Sequence, residues 1–248
     1  MSRRLAIVLA AGKGTRMKSD LPKVLIPVLG RPMLEYVLDT LDACGVDEII
    51  VVVGYRKELV EAAVGRRHKI SFVEQTEQRG TGHAVMMCRD RLKEHNGPVI
   101  VVAGDSPMLR SESLARLLDA YDDGRPACIL GTASKSDPRG LGRIVRDKSG
   151  QFAGIVEEKD ADPHQRQITE VNLSCYVFDC QELLKSFGEL KAENKQQEYY
   201  LTDCPSILMA AGKQVRALNI LHASEALSIN NMDELAIVES AMTEAAAD

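Results

Sequence analysis

The sequence predicts an α/β fold: a twisted, mixed, mostly parallel sheet with helices on both faces. Three observations predict it. The run Leu5 to Ala10 is apolar without a break and stops at Ala11-Gly12-Lys13-Gly14, as a strand buried on both faces does when it turns into a loop. Further β-branched runs, Glu48 to Val53, Ile70 to Val73 and Val99 to Ala103, alternate with segments whose apolar residues recur at helical spacing. Beyond Tyr121 the runs shorten, which marks a partly antiparallel region. Strand and helix in alternation argue for parallel neighbours joined by crossovers, the Rossmann-like arrangement.

The elements follow in order. Met33, Leu34, Val37, Leu38 and Leu41 fall on one face of a helix that packs back onto the first strand and that Gly45 ends. Lys57 to Val64 is a short helix between the second and third strands. Gln75 to Ala84 is a second glycine-bearing loop, and it leads into an apolar helical stretch through Val85, Met86 and Leu92. Gly104-Asp105-Ser106-Pro107 leaves the carboxyl end of the fourth strand, so three strand exits converge where ligands collect in open α/β sheets. Ser111 is the expected N-cap of a helix reaching Tyr121. Cys128 to Ala133, Gly142 to Arg146, Phe152 to Val156 and Val171 to Phe178 read as strands, and Val215 to Leu221 as another; Asp203 to Met209 and Asp233 to Ala246 read as helices. No linker, repeat or low-complexity tract divides the 248 residues, so one domain over 1–248 is expected.

A formal net charge of −5 argues against a non-specific nucleic-acid binder, which needs a basic face. No apolar run approaches a membrane span, and the one behind Met1-Ser2-Arg3-Arg4 is too short for a signal-peptide core, so a cytoplasmic location is expected. The six cysteines form no C-x-x-C pair and have no histidine at zinc spacing; they read as buried free thiols.

The first loop carries the chemistry. Two small residues and two glycines let the backbone approach a ligand and point N–H groups at phosphate oxygens. Lys13, Arg16 and Lys23 then place three cations within reach of one anion, a composition that suits a nucleoside triphosphate. The dinucleotide fingerprint fails because Met17 stands where the third glycine belongs, and no G-x-x-x-x-G-K-[S/T] occurs.

Over nearly its whole length the chain resembles the sugar-1-phosphate nucleotidyltransferases, most closely their N-acetylglucosamine-1-phosphate uridylyltransferase branch. The resemblance rests on Leu9 through Met17, Leu21-Pro22-Lys23-Val24-Leu25, Gln75 through Ala84, Gly104-Asp105-Ser106-Pro107, Gly142-Arg143-Ile144, Ile155 through Lys159, Glu198 through Asp203 and Asn230-Asn231. It implies the α/β nucleotidyltransferase fold, with a nucleotide-binding half in about residues 1–110 and a sugar-binding half in about residues 111–248. It also implies transfer of UMP from UTP to N-acetylglucosamine 1-phosphate with release of pyrophosphate. In the residues it carries over, Leu9, Ala10, Ala11, Gly12 and Lys13 hold the nucleotide together with Ala103, Gly104 and Asp105. Gln75 reads the uracil edge, where its amide both donates and accepts, and Gly80 and Thr81 belong to the same base-binding loop. Arg16 and Lys23 are the catalytic cations facing the phosphates; Asp105 and Asn230 bind Mg²⁺, with Mn²⁺ as an admissible substitute; Gly142, Glu157 and Asn172 hold the sugar. Glu158 and Lys159 read as a solvated charged edge. A sugar phosphate is already anionic at neutral pH, so alignment and charge neutralisation matter more than a general base, which agrees with a cation-rich site lacking a catalytic histidine.

Two departures touch substrate-contacting stretches. Asn172-Leu173-Ser174 stands where the family commonly has Asn-Thr-Gly, and Ala103 replaces an aromatic residue. Transfer of UMP, CMP or dTMP to glucose 1-phosphate or another sugar phosphate therefore stays open, as does a non-catalytic sugar-nucleotide sensor. The expected partners are UTP and a sugar 1-phosphate, with no nucleic acid and no membrane; a homo-oligomer is allowed. The bifunctional members carry a left-handed β-helix of hexapeptide repeats, which these residues do not match, so acetyltransferase activity is not expected.

Overall fold

The computed structural model describes residues 2–14, 17 and 19–245. Leu5–Ala10 (β1) lies between two parallel strands, Glu48–Val53 (β4) and Pro98–Ala103 (β6), with Leu5 in register with both Glu48 and Val99. Its unbroken apolar run serves two cores at once. Ala6, Val8 and Ala10 pack on Met33–Ala43 (α1), while Leu5 and Ile7 face Thr81–Met86 (α3) and Arg89–Lys93 (α4) across the sheet.

Among the described residues nine strands form one sheet. Its main path runs β11, β7, β10, β6, β1, β4, β5, where β5 is Ile70–Glu74, β7 Cys128–Ser134, β10 Glu170–Asp179 and β11 Val215–Asn219. The β1, β4, β5 and β6 pairings are parallel, with Lys57–Val64 (α2) crossing over between β4 and β5. The antiparallel region expected beyond Tyr121 is not a separate body. Strand β10 is inserted antiparallel between β6 and β7, and its first residues also pair with Gly142–Arg146 (β8), which continues into Phe152–Val156 (β9). Helices α1, α2 and Ser111–Gly124 (α5) cover one face; α3, α4, Cys180–Ser186 (α6) and Asp203–Ala210 (α7) cover the other.

A third apolar cluster lies outside these layers. The short hairpin Pro27–Val28 (β2) and Arg31–Pro32 (β3) follows the first loop, and Met232–Ala245 (α8) packs Leu235 and Val238 onto Val28, Met33 and Ile229. That packing brings residues 228–231 back beside the N-terminal loop. No helix among the described residues is long and apolar enough to cross a membrane.

The sequence misplaced one cap. Helix α5 does begin at Ser111, but the capping position is Arg110 and has no side-chain bond. Glu225 supplies the acceptor from a distance: it takes the Arg110 N–H at 3.0 Å, the Ser113 hydroxyl at 2.6 Å and the His222 N–H at 2.6 Å. Only 6% of Glu225 is exposed, so its charge is compensated by these donors and not by water. Glu225→Ala is therefore expected to cost about 3 kcal/mol of stability, read as a lower urea midpoint at unchanged m-value.

Candidate functional site

The carboxyl ends of β1, β5 and β6 open on a cleft of about 420 Å³. Leu9, Ala11 and Gly12 line it at the end of β1, Gln75, Gln78, Gly80 and Thr81 after β5, and Ala103 and Asp105 at the end of β6. The exits are tied by the backbone: the Gly104 N–H donates to the Leu9 carbonyl at 2.9 Å, and the Ala11 carbonyl takes the Tyr55 N–H at 3.2 Å and the Gln78 Nε2 at 2.8 Å. Gly14 lets the loop fold over Lys23. Its φ is +65°, and an added Cβ would sit 2.7 Å from the Lys23 Cβ.

Gln75 is 5% exposed at the floor of the cleft. Its Nε2 donates to the Gly80 carbonyl at 3.0 Å and lies 3.1 Å from the His83 Nδ1. The donor half of the amide is thus engaged within the protein. Among the described residues no donor is bonded to Oε1, which leaves the acceptor half for a ligand. Gly80 has φ +102°, and a Cβ there would stand 2.5 Å from the Tyr199 carbonyl, so only glycine lets the 75–84 loop lie against the 198–203 segment. Thr81 Oγ1 accepts the Leu201 N–H at 3.1 Å and closes that contact.

At the other end of the cleft three predicted residues meet. Lys23 Nζ stands 2.6 Å from Asp105 Oδ2 and 3.1 Å from Asn230 Oδ1, although Lys23 and Asn230 are 207 residues apart. Asn230 is aimed by its other bonds, Nδ2 donating to Ser228 Oγ at 3.1 Å and to Glu234 Oε2 at 3.0 Å. A carboxylate oxygen and an amide oxygen therefore converge on one positive charge, and hard oxygen donors few in number fit a Mg²⁺ ion that keeps waters and phosphate oxygens as its remaining ligands. A pocket of about 170 Å³ joins Lys23, Asp105 and Asn230 to Asn172.

Gly142, Glu157 and Asn172 are also brought together. Gly142 pairs with Asn172 across β8 and β10, and a Cβ on Gly142 would stand 3.6 Å from Glu157 Oε2 and 3.6 Å from the Asn172 Cβ. Glu157 Oε1 accepts the Thr202 hydroxyl at 3.0 Å, and its carboxyl also borders a cavity of about 370 Å³ shared with Asp160, Tyr200 and Asp203. Burial raises the Glu157 carboxyl above the ordinary range, and the charges of Asp203, Asp160 and Glu198 push the same way against the Thr202 bond; Asp203 is raised too, by burial and then by Asp160.

The remaining predicted residues divide. The Ala10 side chain is in the core, so only its backbone is available to a ligand. Lys13 is exposed with Nζ 5.1 Å from the centre of the Tyr55 ring, and it is not among the residues lining the cleft. Arg16 lies outside the described residues. Glu158 is not a solvated charge: its Oε2 pairs at 2.5 Å with Arg143 Nη2, whose side chain is 1% exposed, and it accepts the Gly140 N–H at 3.3 Å. A buried arginine needs a counter-charge, and that need outweighs the exposure expected of a glutamate in a charged run. All six cysteines are buried and free, and burial pushes the Cys88 and Cys204 thiols up to about 12. Residues that border the site but carried no role in the sequence reading include Gln78, Ser174, Glu198 and Thr202. Gln78 lies inside the glycine-bearing run, which was its one signal.

The model of the MobA-like NTP transferase domain matches residues 6–199 of this chain. The bifunctional protein GlmU of Streptococcus agalactiae is 44% identical over 237 residues, which are 96% of this chain and 51% of that protein. GlmU of Halalkalibacterium halodurans is 41% identical over 242 residues, 98% of this chain and 53% of the relative. The chain thus spans about half the length of the curated relatives it matches. A crystal structure of UDP-glucose pyrophosphorylase complexed with UDP-glucose superposes with a TM-score of 0.77 at 17% identity, covering 98% of this chain and 99% of that one, which places the fold.

Glu157 gives the site a pH signature. A carboxyl whose folded pKa is raised binds its proton longer in the native state, so its contribution to stability is present below the unfolded value of about 4.3 and is lost as pH rises through the folded one. Glu157→Gln removes that titration and keeps an oxygen for Thr202. The variant is expected to melt higher than the parent at pH 7, with the gain vanishing below about pH 4; thermal melts across that range check it.

Proposed function

The chain belongs to the MobA-like NTP transferase domain family, and from that premise we propose that it transfers UMP from UTP to N-acetylglucosamine 1-phosphate, giving UDP-N-acetylglucosamine and pyrophosphate. The observation that carries the proposal is the meeting of Lys23, Asp105 and Asn230 where the larger cleft runs into the pocket beside Asn172. Identity to GlmU over nearly the whole chain supports the same reading.

In this reaction a phosphate oxygen of the sugar phosphate attacks the α-phosphorus in line; the new P–O bond forms as the bond to pyrophosphate breaks. The attacking oxygen already carries charge, so no residue has to remove a proton. The chain binds, orients and neutralises. Gln75 Oε1 accepts from the uracil N3–H, and the small residues Ala10, Ala11 and Gly12 let the ribose and phosphates lie against backbone. Lys23 and Arg16 offset the negative charge of the triphosphate, Arg16 on the strength of its place in the sequence motif. Asp105 and Asn230 would hold Mg²⁺, or Mn²⁺ in its place. When bound, the metal supplies charge neutralisation for the departing pyrophosphate. Asn172 and Glu157, with Gly142 leaving space between them, receive the hydroxyls and acetamido group of the sugar. Leu173 packs partly against the core on the α1 and α5 side of the sheet and also lines the pocket of about 170 Å³ beside Asn172.

The test is a pyrophosphate-release assay over a matrix of nucleoside triphosphates and sugar 1-phosphates with Mg²⁺. UTP with N-acetylglucosamine 1-phosphate is expected to give the highest kcat/KM, at least about 10-fold above UTP with glucose 1-phosphate, because a site built for an acetamido group is left with unpaired polar atoms by its absence. A ratio near one would remove the acetamido assignment, and no turnover with any pair would favour a sensor. Lys23→Ala and Arg16→Ala should each lower kcat by about 10²-fold with circular dichroism unchanged. Wild-type rates in both would take the two cations out of the mechanism.

A further inference from the structure

Ser174 holds a backbone conformation that its side chain disfavours. Its φ is +54°, in the left-handed region that glycine occupies without penalty. The cause is local. The pairing of β10 with β7 shifts register between Asn172 and Cys175, and the Ser174 N–H turns out of the ladder to donate to Asn172 Oδ1 at 3.2 Å. A glycine would make the same bulge with less strain, so the hydroxyl has to be explained by what it faces.

The residue lies at the junction of the site. Ser174 lines both the cleft of about 420 Å³ that holds Gln75 and the pocket of about 170 Å³ that holds Lys23 and Asn230. Two other residues line both, Ala103 and Asp105. Ala103 has no polar side-chain atom, and the Asp105 carboxylate accepts from Lys23. Of the three, Ser174 alone carries a neutral hydroxyl, and no hydrogen bond from its Oγ to protein is found among the described residues.

We propose that Ser174 is a substrate-contacting residue whose hydroxyl donates a hydrogen bond to the ribose–phosphate segment of the uridine nucleotide where that segment passes from the cleft into the pocket. The bulge stores strain in order to present this donor, and the bond fixes the α-phosphorus against the acceptor. The inference rests on the uridylyl-transfer reading for the identity of its ligand.

Two variants separate the hydroxyl from the strain. Ser174→Gly removes both; Ser174→Ala removes the hydroxyl alone. Each should lower kcat/KM for UTP and weaken binding of UDP-N-acetylglucosamine, measured by calorimetry, by roughly 5-fold, the worth of one neutral hydrogen bond. The glycine variant alone should also melt higher, by about 2 °C, as strain is relieved. Kinetics and product affinity within twofold of the parent in the glycine variant would overturn the proposal, as would a loss confined to the alanine variant. If the unmodified protein turns over no substrate pair, uridylyl transfer falls while the calorimetric comparison still decides Ser174. Absence of any UDP-sugar binding by the unmodified protein would sink both.

Discussion

The contact between Lys23, Asp105 and Asn230 depends on three parts of the chain arriving together: the loop after β1, the exit of β6 and the turn before α8. The charges do not hold those parts in place. A part-exposed ion pair is worth about 1 kcal/mol at most, whereas fully burying one large apolar side chain stabilises by about 1.5–3 kcal/mol. Met17, Ile26, Val28 and Met33 meet Ile229, Leu235 and Val238 in one buried cluster, and that cluster fixes the distance between the N-terminal loop and the start of α8. Apolar packing sets the geometry, and the charged contact uses it. Gly14 is the second condition, because a side chain there would strike Lys23 before its ammonium reached either oxygen.

The same division of labour appears in the second half of the chain. Strand β10 is ten residues long, and its carboxyl half is clamped between β6 and β7 with Tyr176 and Phe178 in one core and Cys175 and Val177 in the other. Before the bulge its first residues stay paired with β7 and take β8 in place of β6 on the other side. Asn172 therefore sits at the transition, held by Thr132 of β7 on one side and Gly142 of β8 on the other, and lines the pocket. Arg146 secures β8 from the far end through two bonds to Glu170 at 2.6 and 2.7 Å, which hold the Glu170 carboxyl below the ordinary range despite its burial.

What the sequence made legible follows from local pattern. Each strand read from an unbroken or alternating apolar run is present, and β8 and β9 match their expected bounds, because burial on a sheet leaves a period that neighbours cannot disguise. What stayed hidden depends on partners distant in sequence. Nothing near Ser111 announces that Glu225 will cap its helix, and nothing near Glu158 announces a buried Arg143. The insertion of β10 between β6 and β7 is a matter of which edges meet, on which a run of apolar residues is silent. The site divides in the same way. Gln75, Asp105, Lys23, Asn172 and Asn230, which the structure places around the cleft and its adjoining pocket, were singled out because they lie in runs whose order and spacing are distinctive, while Ser174 was visible only as a departure from such a run, and its strained backbone required a dihedral angle.

The chemistry proposed here asks for opposite electrostatics a short distance apart, and the fold separates them by strand order. Exits of parallel strands β1 and β6 carry small residues, exposed backbone and Lys23, a setting in which phosphate charge is welcome. The turn after β9 carries Glu157 and Asp160, and the segment leading into α7 brings Glu198 and Asp203 near them; burial and like charge raise the Glu157 carboxyl and make a second anion unwelcome there. On the proposed reaction an anionic sugar phosphate arriving between them would be oriented: its phosphate drawn towards Lys23 and its uncharged ring left for Glu157 and Asn172. Orientation of the acceptor then comes from the gradient across the junction, and the hydrogen bonds of the sugar pocket refine a pose that the charges have already chosen.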